Sequence, residues 1–290
     1  MNATSRATLI GIISVLLWAL LALFTATAGA IPPFQLMALT FAVAFAGGMV
    51  VLGLRGKAGL SELKQPAAPW ITAFLGLFGY HALYFYALQN APVGEASIIC
   101  YLWPLFIVLF SAMLPGERLK ARHIGGAVLG FAGTALIILA KGGTFGGGGS
   151  AFGYLAALGC AFVWSGYSVL NRRFQGTPSG MLVGVCGAVA VAALFCHLAF
   201  EDTVSPTGVQ WAAVLALGLG PVGLAFLAWD HATKHGNISL LGTLSYMAPL
   251  ISTALLVLTG AAPASLTLAL AALLVIGGAV LATGLPGKKA

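Results

Sequence analysis

The chain alternates between ten long apolar stretches and short polar connections. Each stretch is close to the roughly 20 residues that a helix needs to cross the hydrocarbon core of a bilayer. Proline, glycine and asparagine cluster in the connections, where they are typical of turns between helices. The pattern therefore predicts ten transmembrane helices, near residues 8–28, 33–54, 67–89, 93–114, 121–140, 151–172, 179–200, 209–232, 238–259 and 265–285.

The two halves of the chain share a motif in these stretches. Tyr101 and Pro104 lie in the fourth stretch, and Tyr246 and Pro249 repeat their spacing 145 residues later, in the ninth. A unit of five spans ends on the side of the membrane opposite to its start, so a second copy is inverted relative to the first. The sequence predicts two inverted five-helix repeats, residues 1–142 and 151–290, joined by a glycine-rich connector at 143–150.

Composition supports a membrane protein independently of the pattern. Charged residues make up 7% of the chain and hydrophobic residues 60%, and the mean hydropathy is +1.02. An ordinary soluble domain carries roughly 25% charged residues, so this chain has too few of them to cover a globular surface. Backbone groups in lipid must satisfy one another, which favours helices. We therefore expect an all-α membrane protein whose short loops cannot hold a soluble catalytic domain.

The first stretch also resembles a secretory signal, because Ala26-Thr27-Ala28 follows an apolar run behind Arg6. That run, from Ala7 to Phe24, is longer than a signal-peptide core of roughly 7–15 residues. Removing it would leave nine spans and break the repeat. We therefore expect this stretch to be a transmembrane helix.

Basic residues are concentrated in the connections on one side of the predicted membrane. With a cytoplasmic N-terminus, 12 of the 13 lysines and arginines lie in the tails and inward-facing loops, and only Lys141 lies outside. This asymmetry predicts that both termini are cytoplasmic. It also accounts for the net charge of +7 through orientation and contact with anionic lipid, so no nucleic-acid partner is expected. The inward residues are Arg6, Arg55, Lys57, Lys64, Arg118, Lys120, Arg122, Arg172, Arg173, Lys234, Lys288 and Lys289.

Ionisable residues are scarce near the middle of the predicted spans. His81 is the one histidine close to mid-membrane, and two roles are open for it: a functional polar group, or a structural hydrogen bond between helices. Asp230 lies toward the inner end of the eighth span beside Lys234, where we expect an ion pair. No carboxylate lies at mid-depth, so a proton or sodium relay has no evident carrier. The four cysteines have no paired spacing, and neither a metal nor a cofactor is expected.

Tyrosine and tryptophan are unusually frequent at mid-depth. They normally favour membrane interfaces because their polar tips need partners. Their position near His81 in the centre of several spans favours a polar cavity, and packing or lipid contact is the competing interpretation. The predicted substrate-binding residues are Trp18, Tyr80, His81, Tyr84, Tyr101, Trp103, Trp164, Ser245 and Tyr246.

Proline and glycine near mid-depth predict an irregular backbone. Tyr101 and Trp103 point about 200° apart on a straight helix, so both face one cavity only if the helix is distorted, as Pro104 allows. A carbonyl freed in this way is tolerated where a cavity or a neighbouring helix satisfies it. We expect the third, fourth, eighth and ninth spans to line the pathway. The predicted hinge residues are Pro104, Gly220, Pro221 and Pro249.

Two segments carry a resemblance to a known family. The segment from Ala87 to Pro104 reads ALQNAPVGEASIICYLWP, and its counterpart from Ala232 to Pro249 reads ATKHGNISLLGTLSYMAP. Together with Trp18 and Trp164, one in the first helix of each half, they resemble the EamA-type exporters of the drug/metabolite transporter superfamily, and most of all the aromatic amino-acid exporter branch. The resemblance covers nearly the whole chain. It implies export of aromatic and other neutral amino acids across a bacterial inner membrane by alternating access. The second half lacks a counterpart of Glu95, which puts a role for that residue in both halves in doubt.

Three functions are compatible with these features. The favoured one is a carrier of neutral or zwitterionic metabolites, especially aromatic amino acids. The second is a broad drug or nucleotide-sugar carrier of the same superfamily, but an anionic substrate would want Arg or Lys at mid-depth, where the sequence has none. The third is an intramembrane enzyme using His81 with Ser97 or Ser245, which we do not expect. The expected partners are a small-molecule substrate and membrane lipid, with no obligate protein partner. Substrate identity, ion coupling, oligomeric state and resting conformation stay open.

Overall fold

The structure is a computed structural model that describes residues 1–115, 119–140, 150–258 and 265–283. All regular secondary structure in these residues is helical. Most of the connector predicted at 143–150 lies outside them. So do four of the basic residues that were used to predict the orientation: Arg118, Lys141, Lys288 and Lys289.

Ten apolar helices follow the ten predicted stretches to within a few residues. Within the described part of the chain, nine are long and apolar enough to cross a membrane, and the tenth is shorter. A short helix, Gly56–Ser61, lies in the connection after the second. We number the ten α1 (Ala3–Ala28), α2 (Pro33–Leu54), α3 (Ala67–Asn90), α4 (Val93–Ser111), α5 (Ala121–Leu139), α6 (Ala151–Phe174), α7 (Met181–Phe200), α8 (Gly208–His235), α9 (Ile238–Leu255) and α10 (Leu266–Ala282).

Polar side chains define where several helices begin. Asn2, Ser150, Thr207 and Asn237 each precede a helix, and each side chain accepts a hydrogen bond from a backbone N–H in the first turn. These N–H groups have no partner within the helix, and a side-chain cap satisfies one of them. The caps coincide with breaks in the apolar pattern, so the local sequence determines these helix starts.

Hydrogen bonds between helix termini show which ends of the helices lie together. At one end of the bundle, Asn237 N at the start of α9 donates to Thr8 Oγ1 near the start of α1, and Arg172 near the end of α6 donates to Gly236 O just after α8. We call this the basic end. At the other, acidic end, Glu201 just after α7 accepts from Phe34 N at the start of α2. Successive helices therefore run in opposite directions.

The helix pairs repeat with a shift of five helices. Extensive contacts join α2 with α7, α4 with α9, and α5 with α10. The contact of α1 with α8 has its counterpart in the contact of α6 with α3. The α1 helix begins at the basic end, whereas α6 ends there, so corresponding helices of the two halves run in opposite directions. This arrangement is the one that two inverted five-helix repeats produce.

Glycine allows the closest of these approaches, between α5 and α10. A Cβ atom at Gly126 would lie 2.5 Å from the carbonyl oxygen of Gly278, and one at Gly133 would lie 2.7 Å from that of Ala271. Small residues at such positions let two helix backbones approach in a membrane, where association depends on van der Waals packing. The α5–α10 pair forms one flank of the bundle.

Candidate functional site

Four helices are irregular near the middle of the bundle, in two pairs related by the 145-residue repeat. The α3 helix contains a π-helical segment at Leu75–Gly79, and α8 contains one at Gly218–Leu224. The α4 helix is broken at residues 101–102, and α9 is broken at residues 245–246. Such irregular backbone inside a membrane helix is typical of functional positions.

The predicted hinge residues lie at these irregular segments. Gly220 and Pro221 are inside the π-helical segment of α8. Pro104 and Pro249 lie in the first turn of the helical segments that follow the two breaks, Trp103–Ser111 and Met247–Leu258. Proline fits a first turn because its missing N–H would have no partner there. The distortion predicted from Pro104 therefore occurs just before the proline.

Four tryptophans from four helices form one cluster at the centre of the bundle, which we call the tryptophan cluster. Trp18 of α1, Trp103 of α4, Trp164 of α6 and Trp229 of α8 make all six possible ring contacts, with centroids 5.1–6.3 Å apart. Most of these pairs are edge-on or tilted, the geometry that aromatic quadrupoles favour. The cluster joins two helices of the first half to two of the second.

A second group of aromatic rings surrounds this cluster on the side of α3. Tyr80 stacks on Tyr84 with centroids 6.0 Å apart and ring planes 6° apart, and it also contacts Trp164 at 5.4 Å. His81 lies edge-on to Tyr80 at 5.3 Å and to Phe226 at 6.2 Å. These residues extend the tryptophan cluster into a continuous aromatic surface between α3, α6 and α8.

Two ring N–H groups of this surface hydrogen-bond to the irregular backbone. Trp18 Nε1 donates to the carbonyl of Pro221, 3.1 Å away in the π-helical segment of α8. His81 Nδ1 lies 2.7 Å from the carbonyl of Leu77 in the π-helical segment of α3 and donates to it, since a carbonyl only accepts. The aromatic side chains therefore satisfy carbonyls in both irregular segments. The bond of His81 is within its own helix, whereas the bond of Trp18 connects two halves of the chain.

Tyr246 and Ser245 lie apart from the tryptophan cluster. Tyr246 is fully buried and packs against α5 and α10 with Val108 and Leu250. Its hydroxyl donates to the carbonyl of Tyr101 and accepts from the N–H of Leu105, both at 3.2 Å, so it bridges the break in α4. Ser245 Oγ donates to a carbonyl of its own helix, 2.8 Å away. The repeat therefore pairs Tyr101 with Tyr246 through the backbone of one and the side chain of the other.

The sequence analysis missed two members of the aromatic surface, Phe226 and Trp229. Trp229 is fully buried, and its Nε1 donates to Ser168 Oγ at 3.0 Å. The signal that would have found them is the 145-residue offset, which relates His81 to Phe226 and Tyr84 to Trp229. We had applied that offset to the proline and tyrosine motif but not to these aromatic positions.

A buried ion pair lies one residue beyond the tryptophan cluster, toward the basic end. Lys234 Nζ donates to Asp230 Oδ2 at 2.8 Å and to Thr177 O at 3.0 Å, and both side chains are at most 1% exposed. Asn171 Nδ2 of α6 donates to the other carboxylate oxygen at 2.9 Å. A buried charge is tolerated when it is paired and hydrogen-bonded in this way. The ion pair predicted from the sequence is confirmed, and it ties α6 and the start of α7 to α8.

Metal chemistry has no evident ligand set in the described residues, which contain no group of three or more His, Cys, Asp or Glu side chains suited to a metal ion. The four cysteines are free thiols. What the centre of the bundle offers is a surface of aromatic rings with carbonyls of two irregular helices beside it. Such a surface binds apolar rings by stacking and edge contacts, and carbonyls accept hydrogen bonds from a cation.

The chain is similar to transporters along almost its whole length. The profile of the EamA-like transporter family matches residues 5–139 and again residues 151–284. An aromatic amino acid exporter named YddG, from Ancylobacter novellus, is 51% identical over 280 residues, which cover 96% of this chain and 97% of that protein. The YddG exporter of Escherichia coli is 24% identical over 298 residues, which cover 95% and 96% of the two chains.

A solved structure has the same fold. A crystal structure whose chain is 49% identical superposes with a TM-score of 0.90 and covers 97% of this chain and 98% of its own. Together with the two matches of one family profile, this confirms the resemblance that the sequence motifs indicated. The chain therefore belongs to the EamA-like transporter family of the drug/metabolite transporter superfamily, in the branch of the YddG exporters, and is a multi-pass transporter of the bacterial inner membrane and not an enzyme.

Proposed function

We propose that the protein exports aromatic and other neutral amino acids by alternating access, with the tryptophan cluster and its neighbours on α3 as the recognition site. The observation that carries this proposal is the set of six ring contacts among Trp18, Trp103, Trp164 and Trp229. It brings helices of both halves to one point at the centre of the bundle. The similarity to the aromatic amino acid exporter of Ancylobacter novellus supports the same substrate class.

The proposed mode of recognition is exchange of one aromatic contact for another. The rings of the site already contact each other, so a substrate ring enters by replacing contacts of the same kind. Each aromatic contact contributes about 0.5–1.5 kcal/mol beyond area burial, and exchange leaves only the difference between old and new contacts. Binding therefore stays weak, as a carrier that must release its cargo requires. The substrate-binding set comprises Trp18, Tyr80, His81, Tyr84, Trp103 and Trp164, with Phe226 and Trp229 added.

We assign the charged ends of the amino acid to the irregular backbone. The carbonyls of Leu77 and Pro221 accept hydrogen bonds from His81 and Trp18, and an ammonium group can replace those donors. Ring N–H groups released by that exchange can donate to the carboxylate. This assignment needs no charged side chain at the site, in agreement with a substrate that carries no net charge. Tyr246 and Ser245 take a different part, and hold the broken α4 and α9 helices together.

For the conformational change we propose relative motion of residues 1–142 and 151–290, with 143–150 as the connector. The family profile matches each half separately, at 5–139 and 151–284, and supports this division. The π-helical segments and the breaks in α4 and α9 then act as hinges, since local backbone changes there alter helix direction without disturbing the rest of the bundle.

Counterflow tests the substrate and the energy source together. Purified protein in liposomes preloaded with phenylalanine should accumulate labelled phenylalanine or tryptophan from the outside. Unlabelled aromatic amino acids should compete more strongly than alanine, and glutamate should compete least, because the site recognises a ring without net charge. Accumulation should persist when a protonophore collapses the proton gradient, because no carboxylate lies at mid-depth to carry a proton.

Protein-free liposomes and a set of typical cationic drugs serve as controls for this assay. Exchange of the drugs without exchange of any amino acid would favour the broad efflux carrier. Loss of counterflow with the protonophore would contradict the uncoupled mechanism and make His81 the candidate proton relay.

We propose that the basic end of the bundle is cytoplasmic, as the distribution of lysine and arginine indicates. Single cysteines at Lys57, after α2, and at Asp202, after α7, test this in a background without the native cysteines. A membrane-impermeant maleimide added to intact cells should label the cysteine at 202 and leave the one at 57 unlabelled until the cells are opened. The reverse pattern would invert the orientation, and labelling of both from outside would contradict the alternation of the spans.

A further inference from the structure

A cavity of about 510 Å³ lies between α2, α7 and α8, outside the aromatic site. Its walls are mainly apolar and include Val51 of α2, Val183 of α7, and Leu219, Leu224 and Leu227 of α8. Val51, Leu219 and Leu224 are each more than half exposed, so the cavity is a groove that opens sideways from the bundle toward the surrounding lipid. None of the residues assigned to substrate recognition lines it.

The groove has a polar end with one charge of each sign. Arg55, at the end of α2, contacts Glu62 with Nη2 and Oε1 2.5 Å apart, and both residues line the groove together with Ser179 and His231. The Arg55 side chain is 54% exposed and the Glu62 side chain 15%, so the pair is accessible from outside. Arg55 has five N–H donors, and its single ion pair with Glu62 leaves others for an anionic ligand.

The dimensions of the groove match one leaflet of a bilayer. It extends along α2 from Ala44 to Arg55 and along α8 from Leu219 to His231. At 1.5 Å per residue these segments are roughly 16–18 Å long, and half of a hydrocarbon core is about 15 Å thick. A free amino acid is far shorter than this, whereas an acyl chain that begins at the membrane interface has the required length.

We propose that the groove binds one phospholipid with an ethanolamine headgroup. The phosphate lies against Arg55, the primary ammonium lies against Glu62, and one acyl chain lies along the apolar walls toward Leu219. Zwitterionic headgroup chemistry is favoured because Glu62 repels a lipid that carries only negative charge. A primary ammonium also donates charge-assisted hydrogen bonds to a carboxylate, which the quaternary ammonium of a choline headgroup cannot do.

The position of the groove connects the lipid to the proposed hinge in α8. Leu219, Gly223 and Leu224 line the groove and also belong to the π-helical segment Gly218–Leu224. The opposite side of that segment carries the Pro221 carbonyl that accepts from Trp18. A bound acyl chain therefore packs on the outer side of the same irregular turn whose carbonyl contacts the aromatic site.

Native mass spectrometry of the full-length protein tests the proposal. The probes are phosphatidylethanolamine, phosphatidylcholine and phosphatidylglycerol with identical acyl chains, supplied in equal amounts in detergent. We expect one phosphatidylethanolamine to be retained several-fold more than either competitor. Val51→Trp should reduce that retention to the level of the competitors, because the larger side chain fills the groove from an exposed position. Glu62→Gln should remove the preference over phosphatidylglycerol.

The matched control is Val50→Trp, at a residue that is 62% exposed on the same helix and does not line the groove. It should retain phosphatidylethanolamine as the unmodified protein does. Equal retention of all three lipids, or equal loss in the two tryptophan variants, would overturn the site. A preference for phosphatidylglycerol that survives Glu62→Gln would overturn the headgroup assignment. The readout contains no transported substrate, so its result is independent of the amino-acid counterflow test.

Discussion

Replacing Trp164 with alanine is expected to lower counterflow of phenylalanine and tryptophan at least roughly tenfold. Trp164 contacts the other three tryptophans, Tyr80 and Phe226, with ring centroids 5.4–6.3 Å apart. It therefore offers more aromatic contact to an entering ring than any single neighbour on α3. Losing two such contacts, each about 0.5–1.5 kcal/mol, is sufficient for a tenfold effect, which corresponds to about 1.4 kcal/mol. The measurement is the initial rate of counterflow per folded protein.

Folded protein has to be measured separately for this variant. Removal of a buried tryptophan side chain leaves a cavity and costs about 3–5 kcal/mol of stability. Trp164→Phe keeps a ring and most of the volume, and it should lower the rate less than alanine while preserving the thermal stability. Trp211→Ala, at a half-exposed position near the acidic end, should leave the rate close to wild type. Wild-type rates in both Trp164 variants would mean that the cluster is packing and that the recognition site lies elsewhere.

Replacing Lys234 with methionine is expected to produce the largest loss of stability of any single change described here. It leaves the Asp230 carboxylate fully buried with no cation, and breaking a buried ion pair in this way costs about 3–5 kcal/mol. Asn171 still donates to the carboxylate but brings no charge. The check is the thermal unfolding midpoint of the purified protein in detergent, together with the yield of monodisperse protein.

The double variant Asp230→Asn with Lys234→Met separates the two parts of this effect. It removes both charges, so no uncompensated charge stays buried, and most of the lost stability should return. Arg55→Gln breaks an ion pair at the surface and should change the midpoint little, because exposed pairs contribute little. A single Lys234→Met variant as stable as the wild type would show that Asp230 is hydrated or protonated in the folded protein.

The positions of the helices follow directly from the sequence. The predicted second span, 33–54, agrees with α2 at Pro33–Leu54, and the predicted third span, 67–89, differs from α3 at Ala67–Asn90 by one residue. Lipid makes this prediction robust, because a run of about 20 apolar residues has no other stable environment. The places of irregular backbone also follow, since Pro104 and Pro249 mark the breaks and Pro221 marks a π-helical segment.

Some side-chain partners were also within reach of sequence reasoning. Asp230 and Lys234 are four residues apart on one helix, which places them on the same face, and a buried carboxylate needs a cation. For His81, the structure shows a hydrogen bond within its own helix, to Leu77, and edge contacts with aromatic rings. Both features leave its proposed place at the recognition surface intact.

What the sequence by itself determined is the fold class, the ten spans, the repeat and the kind of side chain that occupies the centre. Only the tertiary structure decided which aromatic residues meet. Tyr246 and Trp229 are both fully buried at comparable depth, yet Trp229 joins the tryptophan cluster and Tyr246 bridges the break in α4. Every face of a membrane helix is apolar, so no amphipathic pattern reveals which face points inward. Each residue turns the helix by about 100°, and a break between residues 245 and 246 redirects every side chain that follows. That rotation is set by packing between helices distant in the sequence, which local sequence does not encode.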